Sequence, residues 1–543
     1  MRYAEILRIL GNYLGYFSLL LWFPLSIALY YEYVELPEFH PQPHSSFAFA
    51  LSLLVCFSSG MLCRFLGRSA KGLLFRREGL LLVALIWIVS SVIAALPFYF
   101  SGTLKNPLDA YFESMSGLTT TGATLISAKN FDANGTEIPL QILSAQNSSY
   151  LYYGTIDPIT SKEGALLTGL DAVSRAILVW RSFLQWLGGM GIVVLFLTIL
   201  PALGVGGKTL YQTETTGPVK EGISPRLKET ASLLWKLYIS LSILELILLL
   251  VTNRSLPFLD AICITFSNLS TGGFSIHENS IAYYNNMYTE WIVILFMILG
   301  SINFALYFYV IRMQFYRIYR TDFFLFLTLI LIGSLCTGFF LWGKASQEIA
   351  QNQGIYSLGS ALRSGAFQWI SAQSSTGYFT ANYDLWPLSA QSLFLIAMFL
   401  GGMAGSTSGG MKTTRYYLLY KIACNRLEGL FRPETVRKIY FSKTEITPTV
   451  SIMILLFFCV GLFSSVVGAS LYIMQGIDID TSLGLISCFI NNVGIAFREA
   501  GPLRSMTFLS PAAKLLSIFW MLVGRLEYFA IFVLLLPGFW KRK

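Results

Sequence analysis

The sequence is poor in charged residues and in the side chains that usually hold metal ions. Only 12% of its 543 residues are charged, it has 3 histidines, and its 7 cysteines form no paired motif. A soluble chain carries about 25% charged residues, so a soluble multidomain protein is excluded. A membrane enzyme such as a lipid-modifying transferase would need His, Asp or Cys clustered at one membrane face, and no such cluster is visible. The sequence therefore predicts no enzyme, no disulfide framework and no covalent cofactor.

Apolar residues are abundant instead. Hydrophobic residues make up 55% of the chain, and the mean hydropathy is +0.61. Long uncharged runs such as Leu80–Phe100 and Val450–Met474 predict an integral membrane protein. The net charge of +9 is gathered in short segments between the apolar runs, for example at 412–443. This distribution follows the positive-inside rule, so it indicates that both termini are cytoplasmic and does not indicate nucleic-acid binding.

The order of the apolar segments repeats along the chain. Two spans, Ile9–Tyr31 and Phe47–Phe65, are followed by four copies of a pattern: a long apolar segment, a short one and a second long one. We predict an all-α membrane protein with four pseudo-symmetric helix–pore loop–helix repeats around one central pore, plus two extra N-terminal transmembrane helices. The predicted units are an extension at 1–72 and repeats at 73–206, 207–320, 321–444 and 445–543. The first long segments are Leu80–Phe100, Leu233–Val251, Phe323–Trp342 and Val450–Met474. The second long segments are Ala176–Leu200, Trp291–Val310, Leu393–Leu419 and Leu515–Pro537.

The short segments cannot span a bilayer. Each holds roughly 10 to 15 residues of helix, whereas a hydrocarbon core of about 30 Å needs about 20 residues at 1.5 Å per residue. Polar, glycine-containing backbone at membrane depth is tolerated only beside protein or a water-filled cavity. We therefore expect the short segments to re-enter the membrane. They are Asp109–Gly122, Leu259–Gly273, Ile355–Tyr378 and Ser482–Gly494.

Each short segment ends in a loop with a glycine, and we align the four loops on that glycine. Loops one to four are Thr119–Ala123, Leu269–Gly273, Ser374–Tyr378 and Asn491–Ile495. Glycine reaches the left-handed backbone conformations that turn successive carbonyls toward one axis, and rings of carbonyls replace the water shell of a cation such as potassium. The predicted filter residues are Thr120, Thr121, Gly122, Ser270, Thr271, Gly272, Ser375, Thr376, Gly377, Asn492, Val493 and Gly494.

Four further motifs accompany the loops: Phe112–Gly117, Gln185–Gly191, the glycine-rich 401–415 and Gly524–Glu527. Together with the loops they resemble the Trk/Ktr/HKT superfamily of potassium transporters, and within it the bacterial TrkH type. The resemblance covers essentially the whole chain, and the two leading spans favour the TrkH type. In this family a glycine at each filter position goes with potassium preference, and a serine in the first loop goes with sodium.

The resemblance also implies surroundings and partners. It implies potassium as the substrate, bound through the filter residues alone, and a location in the bacterial inner membrane. It implies a homodimer in which each protomer keeps its own pore. It further implies a cytoplasmic nucleotide-binding regulatory subunit of the TrkA/KtrA kind, for which the basic segment Arg415–Lys443 is the expected docking surface.

The resemblance implies that two features gate the pore. The residues alone leave open a structural ion pair for the first feature and a passive kink for the second. Arg525 lies in an apolar span, 11 residues from Lys514 and 16 from Lys541, too deep for its charge to reach water easily. Residues at i and i+2 on a helix do not face each other, so Glu527 is an unsuitable partner for Arg525. The second feature is the glycine-rich segment, defined here as residues 401–415, whose glycines cost about 1 kcal/mol each in a helix and which resembles an intramembrane gating loop. The gate glycines are Gly401, Gly402, Gly405, Gly409 and Gly410.

An alternative function is secondary transport that couples potassium to protons or sodium. Such transporters use carboxylates and broken helices near the membrane midplane. Glu245 and Glu113 are the two carboxylates that fit this pattern.

Overall fold

The computed structural model describes residues 1–35, 44–71, 74–132, 135–143, 149–160, 166–191, 227–317, 321–350, 354–432, 438–441 and 444–541. These residues are mostly helical. The first helices are α1 (Tyr3–Leu20), α2 (Trp22–Tyr33), α3 (Ser45–Leu66), α4 (Arg76–Phe100), α5 (Pro107–Leu118), α6 (Arg175–Gly189), α7 (Leu227–Thr252), α8 (Phe258–Leu269), α9 (Met287–Ser301) and α10 (Phe304–Ile311). The later helices are α11 (Thr321–Leu341), α12 (Leu358–Gln373), α13 (Leu388–Leu400), α14 (Thr413–Phe431), α15 (Pro448–Ile473), α16 (Ile479–Asn491), α17 (Pro511–Arg525), α18 (Phe529–Leu535) and α19 (Pro537–Trp540).

Short strands join some of these helices, which the all-α prediction did not include. They form four two-stranded antiparallel pairs, three of them between α5 and α6 and the fourth between α14 and α15. The strands are β1 (Asn130–Phe131), β2 (Glu137–Ile138), β3 (Leu140–Leu143), β4 (Ser149–Tyr152), β5 (Ile159–Thr160), β6 (Leu166–Leu167), β7 (Ile439–Phe441) and β8 (Thr444–Ile446).

Six helices among the described residues are long and apolar enough to cross a membrane. They match the two leading spans and the four first long segments that the hydropathy predicts, so these predictions are confirmed. The first span contains the consecutive helices α1 and α2. The six are Tyr3–Tyr33, Ser45–Leu66, Arg77–Phe100, Ser232–Thr252, Thr321–Leu341 and Pro448–Ile473.

In the part of the chain that the structure describes, the second long segments of repeats two to four are broken helices. The prediction of continuous helices at 291–310 and 515–537 is therefore wrong. Helices α9 and α10 meet at 97°, where Asn303 accepts a hydrogen bond from the backbone N–H of Ala305 and starts a new helix. Helix α17 ends before Glu527 and Tyr528, which both adopt left-handed backbone conformations that interrupt the helical hydrogen bonds. The predicted break between α13 and α14 is present. Of the predicted helix at 176–200, residues 192–200 lie outside the described residues.

The four short helices α5, α8, α12 and α16 are largely buried. Each packs between the long helix before it and the helix after it. Two of these helices have a side-chain N-cap. The Asn106 side chain accepts a hydrogen bond from the N–H of Leu108 at the start of α5, and the Ser357 side chain accepts one from the N–H of Ser360 at the start of α12. At 12 to 16 residues they are too short to span the membrane, and each delivers its loop to the protein interior.

Candidate functional site

The four loops share one backbone conformation. In each loop a left-handed residue is followed, two positions later, by a left-handed glycine. The pairs are Thr120 and Gly122, Thr271 and Gly273, Ser375 and Gly377, and Asn492 and Gly494. The backbone N–H of the residue that lies between these two left-handed residues donates a hydrogen bond to the carbonyl of the residue five positions earlier. These bonds join Thr121 to Ser116 (2.9 Å), Gly272 to Ser267 (2.8 Å), Thr376 to Ser371 (2.9 Å) and Val493 to Cys488 (2.9 Å).

This geometry corrects the sequence alignment in loop two. Aligning the loops on their glycines placed Gly272 beside Gly122, Gly377 and Gly494. In the structure Gly272 instead occupies the position of Thr121, and the left-handed glycine is Gly273. The register was wrong by one residue because loop two contains two consecutive glycines, which a sequence comparison cannot distinguish.

The loops meet one another in a closed ring. A Cβ atom built on each left-handed glycine would overlap a backbone carbonyl oxygen of the next loop, so only glycine fits at these positions. The overlaps join Gly122 to the carbonyl of Gly272, Gly273 to Thr376, Gly377 to Val493, and Gly494 to Thr121. Loop one thus contacts loop two, two contacts three, three contacts four, and four returns to one.

The glycine-rich segment lies against three of the loops. The Thr407 hydroxyl donates to the carbonyl of Leu269 (3.0 Å), and the N–H of Gly409 donates to the hydroxyl of Ser375 (2.7 Å). Gly409 also packs so closely on Asn492 that a Cβ atom would lie 2.7 Å from the Cβ of that residue. The segment therefore contacts loops two, three and four.

The five predicted gate glycines have different roles in this contact. Gly401, Gly405 and Gly410 adopt left-handed conformations that let the segment turn. Gly402 and Gly409 are needed for close approach, since their Cβ positions are occupied by neighbouring atoms. The ammonium group of Lys412, which the sequence analysis missed, is buried and donates to the carbonyl of Ser408 within the same segment. The local signal for Lys412 was its position two residues after Gly410, inside the glycine-rich segment.

Arg525 connects the remaining loop to the glycine-rich segment. Its Nη1 donates to the hydroxyl of Thr120 in loop one (2.8 Å) and to the carbonyl of Thr407 (2.9 Å). Its Nη2 donates to the carbonyls of Gly188 and Gly189 at the end of α6. Arg525 and the glycine-rich segment together contact all four loops.

Glu527 is paired with Arg415, a partner that the sequence analysis did not identify. The two side chains form an ion pair, and the guanidinium carbon of Arg415 lies 3.7 Å from the ring centre of Phe457. Arg415 is 7% exposed, so it cannot contribute to the docking surface predicted at Arg415–Lys443. Within that surface, residues 433–437 and 442–443 lie outside the described residues.

A buried ion pair that the sequence analysis missed supports loops one and two. Arg181 Nε donates to Glu113 Oε1 (2.8 Å), and both side chains are almost fully buried. Glu113 also accepts from the backbone N–H of Leu125 (2.9 Å), just after loop one. Arg181 donates to the carbonyl of Ser275 (3.0 Å), just after loop two, and lies 4.1 Å from the ring centre of Phe274. An arginine inside the apolar run of α6 was the signal that could have identified this pair.

Gln185, one turn after Arg181, holds loop two directly. Its Nε2 donates to the carbonyl of Gly272 (2.7 Å), and its Oε1 accepts from the N–H of Phe274 (3.0 Å). The side chain is fully buried. Gln185 opens one of the motifs quoted above, but no feature of that motif predicts its contact with loop two.

Comparisons with known proteins agree with this architecture. The profile of the TrkH family, described as cation transport proteins, matches residues 152–540. The Trk system potassium uptake protein TrkH of Halomonas elongata is 33% identical over all of both chains, and that of Escherichia coli K12 is 32% identical over all of both chains. The crystal structure of the potassium transporter TrkH from Vibrio parahaemolyticus superposes with a TM-score of 0.78, at 30% identity and with full coverage of both chains. The family resemblance is therefore confirmed, and this chain belongs to the TrkH family of cation transport proteins.

Proposed function

We propose that the protein takes up potassium across the bacterial inner membrane through a gated, cation-selective pore. Four pseudo-symmetric repeats surround this pore, and loops one to four form a carbonyl-lined filter in it. The observation that carries the proposal is the closed ring in which each left-handed glycine contacts a carbonyl of the next loop. The potassium uptake recorded in the names of the relatives supports the choice of ion.

Loop four fits the filter although it lacks the hydroxyl residues of the other loops. Asn492 Nδ2 donates to the hydroxyl of Thr121 (2.9 Å) and to the carbonyl of Met521 (3.0 Å). Thr119 and Thr121 share a hydrogen bond of 2.8 Å. The amide of Asn492 thereby fixes loop four to loop one and to α17, which supports a filter of four loops.

The filter proposal is tested by rubidium flux into proteoliposomes, with potassium or sodium as the competing ion, for Gly122→Ser and the wild type. A Cβ atom at this position overlaps the carbonyl of Gly272, so the variant should discriminate less between potassium and sodium. Gly429 is a suitable control because a Cβ atom there meets nothing within 4 Å. Unchanged selectivity in a folded Gly122→Ser protein would contradict the filter assignment.

We propose that Arg525 and the glycine-rich segment close the pathway on the cytoplasmic side of the filter. A fixed positive charge there opposes cation passage, and its hydrogen bonds hold the segment against loop one. Arg525→Ala should raise rubidium flux about tenfold or more, which corresponds to a barrier lower by about 1.4 kcal/mol. Arg525→Lys keeps the charge and should stay closer to the wild type. Equal flux in Arg525→Ala and the wild type at matched protein amounts would count against this gate.

Transport through this pore is proposed to be passive. Of the two carboxylates that could couple transport to protons, Glu113 is bound by Arg181, which disfavours repeated protonation. A reversal potential that follows the potassium gradient at every pH is the expected result, and one that shifts with the proton or sodium gradient would favour coupled transport. A homodimer and a nucleotide-binding cytoplasmic subunit remain part of the proposal through the family resemblance, and co-purification with such a subunit would test the latter.

A further inference from the structure

Glu245 is a fully buried carboxyl group in the first membrane span of the second repeat. On helix α7 the residues Tyr238, Ser242, Glu245 and Leu249 form one buried face, at the spacing of successive helical turns. Neighbouring residues such as Leu244 are exposed on the outer surface of the protein. The helix therefore directs Glu245 inward, toward loop two.

The hydrogen bonds of Glu245 are incomplete. Its Oε1 accepts from Asn268 Nδ2 (2.6 Å), and the same nitrogen donates to the carbonyl of Val293 on α9 (3.1 Å). Among the described residues, Glu245 Oε2 and Asn268 Oδ1 have no hydrogen-bond partner, and both atoms are buried. Two unpartnered oxygens on two side chains that already share one hydrogen bond form an unfavourable arrangement if the carboxyl is ionised.

A proton on Oε2 would remove this conflict. A carboxylic acid and a primary amide form a reciprocal pair, in which the acid carbonyl accepts from the amide N–H and the acid O–H donates to the amide oxygen. One half of this pair is present, and the two unpartnered oxygens are the atoms of the other half. Among the described residues, the titratable groups that interact electrostatically with Glu245 are the hydroxyls of Tyr238 on α7 and Tyr378 in loop three. Neither is a cation that could stabilise a carboxylate.

Asn268 connects this pair to the filter. It precedes loop two, and its carbonyl accepts from the N–H of Thr271 (2.8 Å), the left-handed residue of that loop. In the other repeats the residues at the same distance before the left-handed glycine are Gly117, Ala372 and Phe489. The polar pair is therefore confined to the second repeat, and general packing around the short helices does not require it.

We propose that Glu245 binds a proton and, as a neutral acid paired with Asn268, acts as a positioning residue that sets the geometry of loop two and hence ion selectivity. This inference rests on the proposed filter function. The proton bound by Glu245 has a structural role: it stays on the carboxyl group throughout transport and is not carried with the ion.

The test compares Glu245→Gln with Glu245→Leu by rubidium flux in proteoliposomes against potassium and sodium, from pH 6 to pH 8. Glutamine supplies both halves of the amide pair, so Glu245→Gln should keep wild-type selectivity at each pH. Leucine removes both hydrogen bonds, and selectivity should fall about tenfold, the equivalent of about one net hydrogen bond to the loop. Glu32→Leu is the matched control, because Glu32 is a buried glutamate that accepts from Ser45 and Ser46 far from the loops in sequence.

A second measurement does not depend on transport. The infrared spectrum of the wild type should contain a carboxylic acid carbonyl band that shifts in D₂O and is absent from Glu245→Gln. The inference is overturned if this band is unchanged in Glu245→Gln or if Glu245→Gln loses selectivity as Glu245→Leu does. It is also overturned if Glu245→Leu keeps wild-type selectivity while Gly122→Ser changes it, and this outcome rejects only the role of Glu245. If both Glu245→Leu and Gly122→Ser keep wild-type selectivity, the filter proposal itself fails.

Discussion

The two consecutive glycines of loop two should respond differently to a single added methyl group. Gly273 is left-handed (φ +77°), and the Cβ of an alanine there would overlap the backbone carbonyl of Thr376 in loop three. Gly272 is not left-handed, and the atoms nearest to its added Cβ belong to the side chain of Gln185, the closest at 2.5 Å. The obstacle at Gly273 is backbone that belongs to the ring, whereas the obstacle at Gly272 is the buried side chain of Gln185, whose own Cβ lies at 2.9 Å.

The expected losses of folding stability follow from the atoms that each added methyl group would meet. Gly273→Ala must place an alanine in a left-handed conformation, at about 1–2 kcal/mol, and displace a backbone carbonyl, at about 1–3 kcal/mol for overpacking. Gly272→Ala incurs only the second kind of cost, together with about 1 kcal/mol if Gln185 loses a hydrogen bond as it moves. Gln185→Ala should therefore relieve part of the loss in Gly272→Ala and none of the loss in Gly273→Ala.

The assay is a double-mutant cycle over Gly272→Ala, Gly273→Ala and Gln185→Ala. Thermal unfolding in detergent reports stability, and rubidium flux against potassium or sodium reports selectivity. We expect Gly273→Ala to reduce both stability and selectivity more than Gly272→Ala does. We also expect Gln185→Ala to offset part of the loss in Gly272→Ala, and the losses of Gln185→Ala and Gly273→Ala to be additive. If Gly272→Ala is the more damaging, or if Gln185→Ala rescues Gly273→Ala, the register assigned to loop two is refuted.

Two further predictions concern buried charges near the loops. Arg181→Met should destabilise the protein by about 3–5 kcal/mol, because it leaves the Glu113 carboxylate buried without its partner; adding Glu113→Gln should recover part of that loss in a thermal-unfolding cycle, and no recovery would contradict the ion pair. Burial lowers the pKa of His277, but hydrogen bonds to Asp171 (2.8 Å) and Asp260 (3.2 Å) outweigh burial and raise it to about 9. The pKa of His277 in the unfolded chain is about 6.5, so the stabilisation by the charged histidine is complete below pH 6.5 and is lost as the pH rises through 9. Its magnitude is about 1–2 kcal/mol, because solvent at Asp171 screens the interaction. Unfolding temperatures of the wild type and His277→Gln should converge over that range, and a constant difference would contradict the charged pair.

The sequence was sufficient to predict the two leading spans, the first long helix of each unit and the short helices. Uncharged runs of about 20 residues have few alternatives to a membrane span, and runs of about 12 residues before a glycine loop have few alternatives to re-entry. These are local properties of the chain, and the boundaries of α4, α8 and α16 lie within a few residues of the predicted segments.

The features that the sequence could not predict depend on contacts between distant residues. Gly272 and Gly273 are chemically identical, and only the carbonyl of Thr376 shows which of them must be left-handed. The breaks after α9 and α17 lie at short polar stretches, Ser301–Asn303 and Arg525–Glu527, inside longer apolar runs. Hydropathy averaged over such a run gives no boundary there. Likewise, Arg181 and Glu113 are 68 residues apart in the sequence and lie on different helices.

The contacts around the loops divide into two groups with different expected consequences. Arg181, Gln185 and Glu245 lie in the first two proposed repeats, and they hold loops one and two through buried polar bonds that an apolar residue cannot replace. The glycine-rich segment and Arg525 lie in the last two proposed repeats, and they contact all four loops through bonds that break if the segment moves. A rigid support should determine which ion fits, whereas a removable contact should determine how often the pathway is open. Substitutions in the first group should therefore alter the ratio of potassium to sodium flux, and those in the second group should alter the total flux more than that ratio.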